Sequence, residues 1–168
     1  MSKHTLSDEV IIEPITEPYY ESKAEVHSQT WRETYEGVQP QWLIDRITPE
    51  FALQVTRRHD PNTIFIARIG QEILGFAEYC IPARKPIAYA DCAELASIYV
   101  LQNRQGRGIG SALLHAVQQA VPTERIAPWM FAGNRKADAF YRTMGFHQTG
   151  HELVEDDGAS RSIEYVNF

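Results

Sequence analysis

Cysteine is nearly absent from this chain. Only Cys80 and Cys92 occur in 168 residues, and neither belongs to a CxxC pair or a histidine-rich cluster. That excludes a disulfide framework and a cysteine-based zinc site, leaving two reduced, buried thiols as the expectation. No segment approaches the roughly 20 apolar residues that span a bilayer, and the opening MSKHTLSDEV lacks the apolar stretch of a secretory signal. A cytoplasmic protein with no membrane partner is therefore expected. A basic excess is missing too: Lys and Arg number 16 against 22 Asp and Glu, for a net charge of −6. Nucleic acid binding needs a basic footprint to displace counterions, so no nucleic acid partner is expected. Acidic excess suits a cationic small molecule or peptide instead. Internal repeats, low-complexity tracts and linkers are also lacking, so residues 1–168 read as a single domain.

What is present is a globular composition, 43% hydrophobic and 23% charged, with enough length for one buried core. Residues 10–15 read as a strand and 21–35 as a helix with Ala24, His27, Trp31 and Tyr35 on one face. Gly37 and Pro40 break that helix. Two short helical pieces follow, the second with Thr48 as N-cap and Pro49 at its first position. Residues 63–69 and 73–81 are rich in Ile and aromatics and flank Gly70-Gln71-Glu72, which predicts a hairpin. Residues 82–86 form its exit loop.

A central strand is expected over 92–100, then a glycine turn and a helix to about Ala120 with Leu113, Leu114, Val117 and Val121 inward. Residues 125–131 read as the next strand. Asn134 caps a helix with Ala137, Phe140, Tyr141 and Met144 on its inner side, and Gly145 stops it. Residues 146–153 and 161–168 make a last pair of strands around the polar turn EDDGAS.

The glycine turn carries the chemistry. A strand ends at Val100, Gly106, Gly108 and Gly110 follow, and a helix begins at once. Glycines let backbone N–H groups turn inward on a close ligand, and the positive end of the helix dipole favours an anion. A phosphate or pyrophosphate is implied. Counted from Gly106, the sixth position is Ser111, so the dinucleotide pattern GxGxxG fails, and no Gly-Lys-Ser/Thr triplet supplies a Walker A loop.

What remains, Gln105-Gly106-Arg107-Gly108-Ile109-Gly110, resembles the Q/R-x-x-G-x-G/A signature of the GNAT acetyltransferases. A second block, from Asn134 through Ala137, Phe140 and Tyr141 to Gly145-Phe146, is similar to that family's N-x-x-A-x-x-F-Y-x-x-x-G-F segment. Trp31-Arg32-Glu33-Thr34-Tyr35 resembles its N-terminal region. Gln102 stands where many relatives carry proline. The resemblance implies an α/β fold of mixed α+β type, with a central, mostly antiparallel sheet splayed between the strands ending at Val100 and Phe131 and helices on both faces. It also implies acetyl-CoA as donor and direct transfer of the acetyl group to an amine.

On this resemblance Gln105, Gly106, Arg107, Gly108, Ile109, Gly110 and Ser111 bind the pyrophosphate. Main-chain groups of Ile98, Tyr99 and Val100 bind the pantetheine arm and the oxyanion. Asn134 faces the coenzyme arm. The acceptor amine, with an ordinary pKa of about 10.4, needs a proton acceptor. Glu94 is the candidate, a carboxylate in an apolar strand where packing gives it no reason to be; a strand-end salt bridge is the competing role. Tyr141 is the candidate proton donor to the departing thiolate, since a phenol's pKa of about 10 lies above a thiol's; helical spacing with Phe140 and Met144 makes a core role the alternative. His147 and His151 lack a carboxylate or thiol to complete a metal set, so no metal is expected. The acceptor is expected between residues 31–46 and the loops 82–91 and 155–160, where Glu33, Glu36, Asp45 and Asp91 suit a polyamine-like amine; a peptide amine is the near rival. A noncatalytic acyl-CoA-binding or sensing module is the alternative function. Pairing of terminal strands gives a possible homodimer.

Overall fold

The computed structural model describes residues 6–154, 158 and 160–168. Among them are seven strands, β1 (Ile11–Pro14), β2 (Ile64–Ile69), β3 (Glu72–Cys80), β4 (Cys92–Val100), β5 (Arg125–Phe131), β6 (His147–Val154) and β7 (Arg161–Val166). Five α-helices accompany them: α1 (Tyr20–Tyr35), α2 (Gln41–Ile44), α3 (Pro49–Arg58), α4 (Ile109–Ala120) and α5 (Arg135–Thr143). The strand order is β1-β2-β3-β4-β5-β7-β6. The sheet is mostly antiparallel, with β4 and β5 running parallel from Cys92↔Arg125 to Leu95↔Pro128. Pro128 brings no N–H to that last rung. β4 continues to Val100. No helix among the described residues is long and apolar enough to cross a membrane.

Local chemistry sets most element boundaries. Thr48 Oγ1 accepts the Phe51 N–H at 3.1 Å, which satisfies one of the orphan donors at the start of α3 while Pro49 supplies none. Asn134 Oδ1 accepts the Ala137 N–H at 3.1 Å at the start of α5, and Gly145, with φ +89°, ends it. The β2–β3 hairpin closes more tightly than the sequence suggests. Ile69 pairs with Glu72, so Gly70 and Gln71 alone make the turn, Glu72 belongs to β3, and Gly70 takes φ +56°.

The chain divides into two compact units, one of residues 1–78 and 97–120, the other of 79–96 and 121–168. In the first, Ile15, Val26, Ile64, Ile66, Ile73, Phe76 and Leu101 form a core. Leu113, Leu114 and Val117 of α4 are fully buried, each gaining roughly 1.5–3 kcal/mol from its removal from water. In the second unit Ile87, Cys92, Ala127 and Val166 form a smaller core cluster. Cys92 is buried as expected, but Cys80 is only half-buried. On α5 only Tyr141 is fully buried. Most of the polar turn between β6 and β7, Glu155, Asp156, Asp157 and Ala159, lies outside the described residues.

Candidate active site

In the first unit β4 delivers Ile98, Tyr99 and Val100 to a short 3-10 turn, Gln102–Arg104, and then to the glycine loop. Gly106 and Gly108 take φ +75° and +83°, a region closed to most side chains. Gly110 falls inside the first turn of α4, so there the third glycine answers to no special backbone angle. Gln105 Nε2 donates to the Val100 carbonyl at 3.1 Å and ties the loop back to its strand. The main chain of the loop leads into the α4 N-terminus, where the first N–H groups have no intrahelical acceptor and the dipole is positive. Arg107 and Ser111 are exposed there, and Ile109 is buried. Arg104 instead pairs with Glu72 at 3.1 Å.

The second unit holds the two candidate catalytic side chains. Glu94 is buried on β4 and salt-bridged to Arg84. The Arg84 N–H and Nε donate to Oε1 at 2.9 and 3.0 Å, and Nη2 donates to Oε2 at 2.6 Å. Tyr141 is buried on α5 among the rings of Phe140, Phe146 and Tyr165, at centroid distances of 5.6, 5.6 and 5.4 Å. A shallow cavity at the start of α5 is lined by Gly133, Asn134, Arg135, Asp138 and Tyr165. His147 is exposed, whereas His151 Nδ1 lies 3.1 Å from the buried Glu164. Among the described residues no group of three or more His, Cys, Asp or Glu is placed to hold a metal ion.

The model of the acetyltransferase (GNAT) family matches residues 20–146, a span that includes α1, the glycine loop and α5. The chain belongs to the GNAT acetyltransferase family. This acetyltransferase is similar to a probable N-acetyltransferase of Mycobacterium tuberculosis, 26% identical over 150 residues that cover 86% of this chain and 84% of the relative. In fold it is similar to the ribosomal-protein-alanine N-acetyltransferase of Brucella melitensis, with TM-score 0.70 and 21% identity over 93% of this chain and 98% of the other. It is also similar to the PaiA N-acetyltransferase of Thermoplasma acidophilum, solved in complex with coenzyme A, with TM-score 0.67 and 20% identity over 92% and 97% of the two chains.

Two features of this acetyltransferase's first unit go beyond what the sequence reading gives. A Cβ on Gly75 of β3 would stand 2.6 Å from the Tyr99 carbonyl oxygen and 3.1 Å from Val100 Cα. Glycine there permits close backbone approach at the residues expected to meet the coenzyme. The signal in the sequence is a lone glycine inside an apolar strand.

The other feature is His27, whose ring lies against Phe76 and Tyr99 and whose Nδ1 is buried without a hydrogen-bond partner. Burial, reinforced by the positive charge of Lys23, lowers its pKa from 6.5 to about 4. The unfolded chain therefore takes up this proton first. Stability is full above pH 6.5 and is lost as pH falls toward 4, with roughly 2 kcal/mol gone between pH 7 and 5. Urea unfolding at those two pH values should show this loss in the native sequence and a much smaller one in His27→Phe. Equal losses in both would contradict it.

Proposed function

We propose that this enzyme transfers the acetyl group of acetyl-CoA directly to a primary amine, the whole of residues 1–168 serving as one domain. The observation that carries the donor half is the loop with Gly106 and Gly108 at positive φ, opening onto the N-terminus of a 12-residue helix. That arrangement suits a diphosphate. Gln105, Gly106, Arg107, Gly108, Ile109, Gly110 and Ser111 would grip it, with Ile98, Tyr99 and Val100 offering main-chain groups to the pantetheine amides and to the oxyanion. Asn134, at the N-cap of α5, would face the coenzyme arm. Glu94 would take the proton of the acceptor ammonium, directly or through a water, and Tyr141 would return one to the thiolate of coenzyme A. Atoms and protons then balance: the amine nitrogen gains the acetyl carbon and, beyond the proton given to Glu94, sheds a second as the tetrahedral intermediate collapses. The sulfur loses the acetyl carbon and takes the Tyr141 proton, the second nitrogen proton restores the phenol by way of solvent, and Glu94 releases its own to solvent. Direct transfer calls for no metal.

On overall charge the acceptor would be a small cationic molecule of polyamine type, with a peptide or protein amine as the second class. Two of the carboxylates behind that choice are already engaged. Glu33 Oε1 accepts the Gln102 N–H at 3.2 Å, and Asp45 Oδ1 accepts from Gln41 Nε2 at 2.8 Å. A cytoplasmic location and a homodimer belong to the same proposal.

Titration calorimetry tests the donor half. Folded protein should give saturable heat with coenzyme A and with acetyl-CoA, ATP should not displace either, and thiol should appear when an amine is added. No heat with either coenzyme form would overturn the reading.

A further inference from the structure

Glu94 does not stand open to a bare cation. Both of its oxygens are held by Arg84, Oε1 by the main-chain N–H and Nε and Oε2 by Nη2. The Glu94 side chain is 8% exposed and the Arg84 side chain 58%, so the pair is approached from the arginine side. Lys85, next along the chain, is also exposed. An acceptor carrying only positive charge would have to displace a bidentate guanidinium and then lie beside it, like charge against like. An acceptor with a carboxylate next to its amine escapes that penalty, because the two ion pairs can exchange partners. The guanidinium fork takes the incoming carboxylate, for which its planar geometry is suited, and the ammonium takes Glu94.

The segment around Arg84 is built for such an exchange by its side chain alone. The Ala83 N–H donates to the Cys92 carbonyl at 3.0 Å, Ile87 is buried against Cys92 and Ala127, and Tyr89 donates to Glu164 at 2.6 Å. The backbone of 83–89 is thus fixed at both ends. With the Arg84 N–H still on Oε1, swinging the guanidinium away frees Oε2, the oxygen that would receive the proton.

We propose that the acceptor is an amine bearing its own carboxylate, an α-amino acid or close analogue, and that Arg84 recognises that carboxylate as it leaves Glu94. This rests on the acetyl-transfer reading and replaces the acceptor that overall charge alone suggests, a polyamine-type cation, with one whose carboxylate Arg84 can hold. In the step that follows, one proton moves from the acceptor nitrogen to Glu94 Oε2 and the neutral amine keeps its lone pair for the acetyl carbon. Charge balances throughout, one guanidinium and one ammonium against two carboxylates before the transfer.

Thiol release is measured over a panel of α-amino acids, each beside its amide and beside the amine left when its carboxyl group is removed, with spermidine as the purely cationic acceptor. The native enzyme should prefer the carboxylated member of its best set by about 10- to 100-fold in kcat/KM, the worth of a charge-assisted bidentate contact. R84Q and R84L should bring that preference to about 1, chiefly through KM, and R84K should retain part of it as a point charge without the fork. Heat with coenzyme A reports that each variant is folded. If the native enzyme uses amides, decarboxylated amines or spermidine as well as the carboxylated acceptors, or if R84Q keeps the preference, the proposal is overturned while acetyl transfer stands. If no amine releases thiol, the acetyl-transfer reading falls as well.

Discussion

Replacing Lys23 by methionine should cost about 3–5 kcal/mol of folding stability, the penalty for leaving a buried charge without its partner. Lys23 is fully buried on α1, its ammonium salt-bridged to Glu78 of β3, donating to Thr56 Oγ1 of α3 at 2.9 Å and lying 4.4 Å from the centroid of the Phe76 ring. Glu78 is almost equally enclosed. Burial alone would raise its pKa, but attraction to Lys23, with its hydrogen bond, holds it below the ordinary range. The carboxylate is therefore ionised at neutral pH and would be stranded in K23M. Adding Glu78→Leu removes the stranded charge, so the double variant should recover most of the loss. Thr56 donates to the Ala52 carbonyl at 3.0 Å, so its hydroxyl has a partner that neither substitution removes. Urea unfolding at pH 7 measures both. A single variant within 1 kcal/mol of the native protein, or a double variant no better than the single, would show that the pair does not brace α1, α3 and β3 as described.

The parts of this molecule visible in its sequence are those whose cause is local. The α3 and α5 caps, the glycine loop and the bounds of β4 each depend on residues within a few positions of one another, and each stands where the sequence places it. Long-range partnerships are different. Lys23 and Glu78 lie 55 positions apart, and nothing within a few positions of either names the other as its partner. The position of β7 between β5 and β6 likewise needs the pairing of Trp129 with Glu164, which no local pattern encodes. Glu164 is instructive in the same way: it is buried, yet accepts from Tyr89 and Thr149 and lies against His151. A glutamate in an alternating strand reads as an outward residue. For Glu94 the sequence supplies both the chemistry and its competitor, and only the structure names Arg84 as the partner.

Glu94→Gln separates those two roles, and it should lower kcat by about 10²- to 10⁴-fold, the usual contribution of a positioned proton acceptor. Glutamine keeps the shape of the side chain and an oxygen for the Arg84 N–H, so the fold of the 82–91 segment has little reason to change. The Arg84 side chain is more than half exposed, and the substitution removes the buried charge of Glu94 rather than stranding it, so the cost in stability should stay well below that of a buried ion left without its partner. Stability and activity should therefore part company in this variant. The pH profile sharpens the distinction. An acceptor amine supplies its own lone pair as pH rises through its pKa, about 8 for an α-amino group and about 10.4 for a side-chain ammonium, so the deficit of E94Q should shrink steadily as pH rises, which a defect in packing or in coenzyme binding would not do. Steady-state kinetics from pH 7 to about pH 10, the upper limit set by the ordinary amine pKa, together with a thermal midpoint for each protein, make the comparison. A variant that keeps its midpoint and its full kcat would assign Glu94 to Arg84 alone and leave the proton to another group.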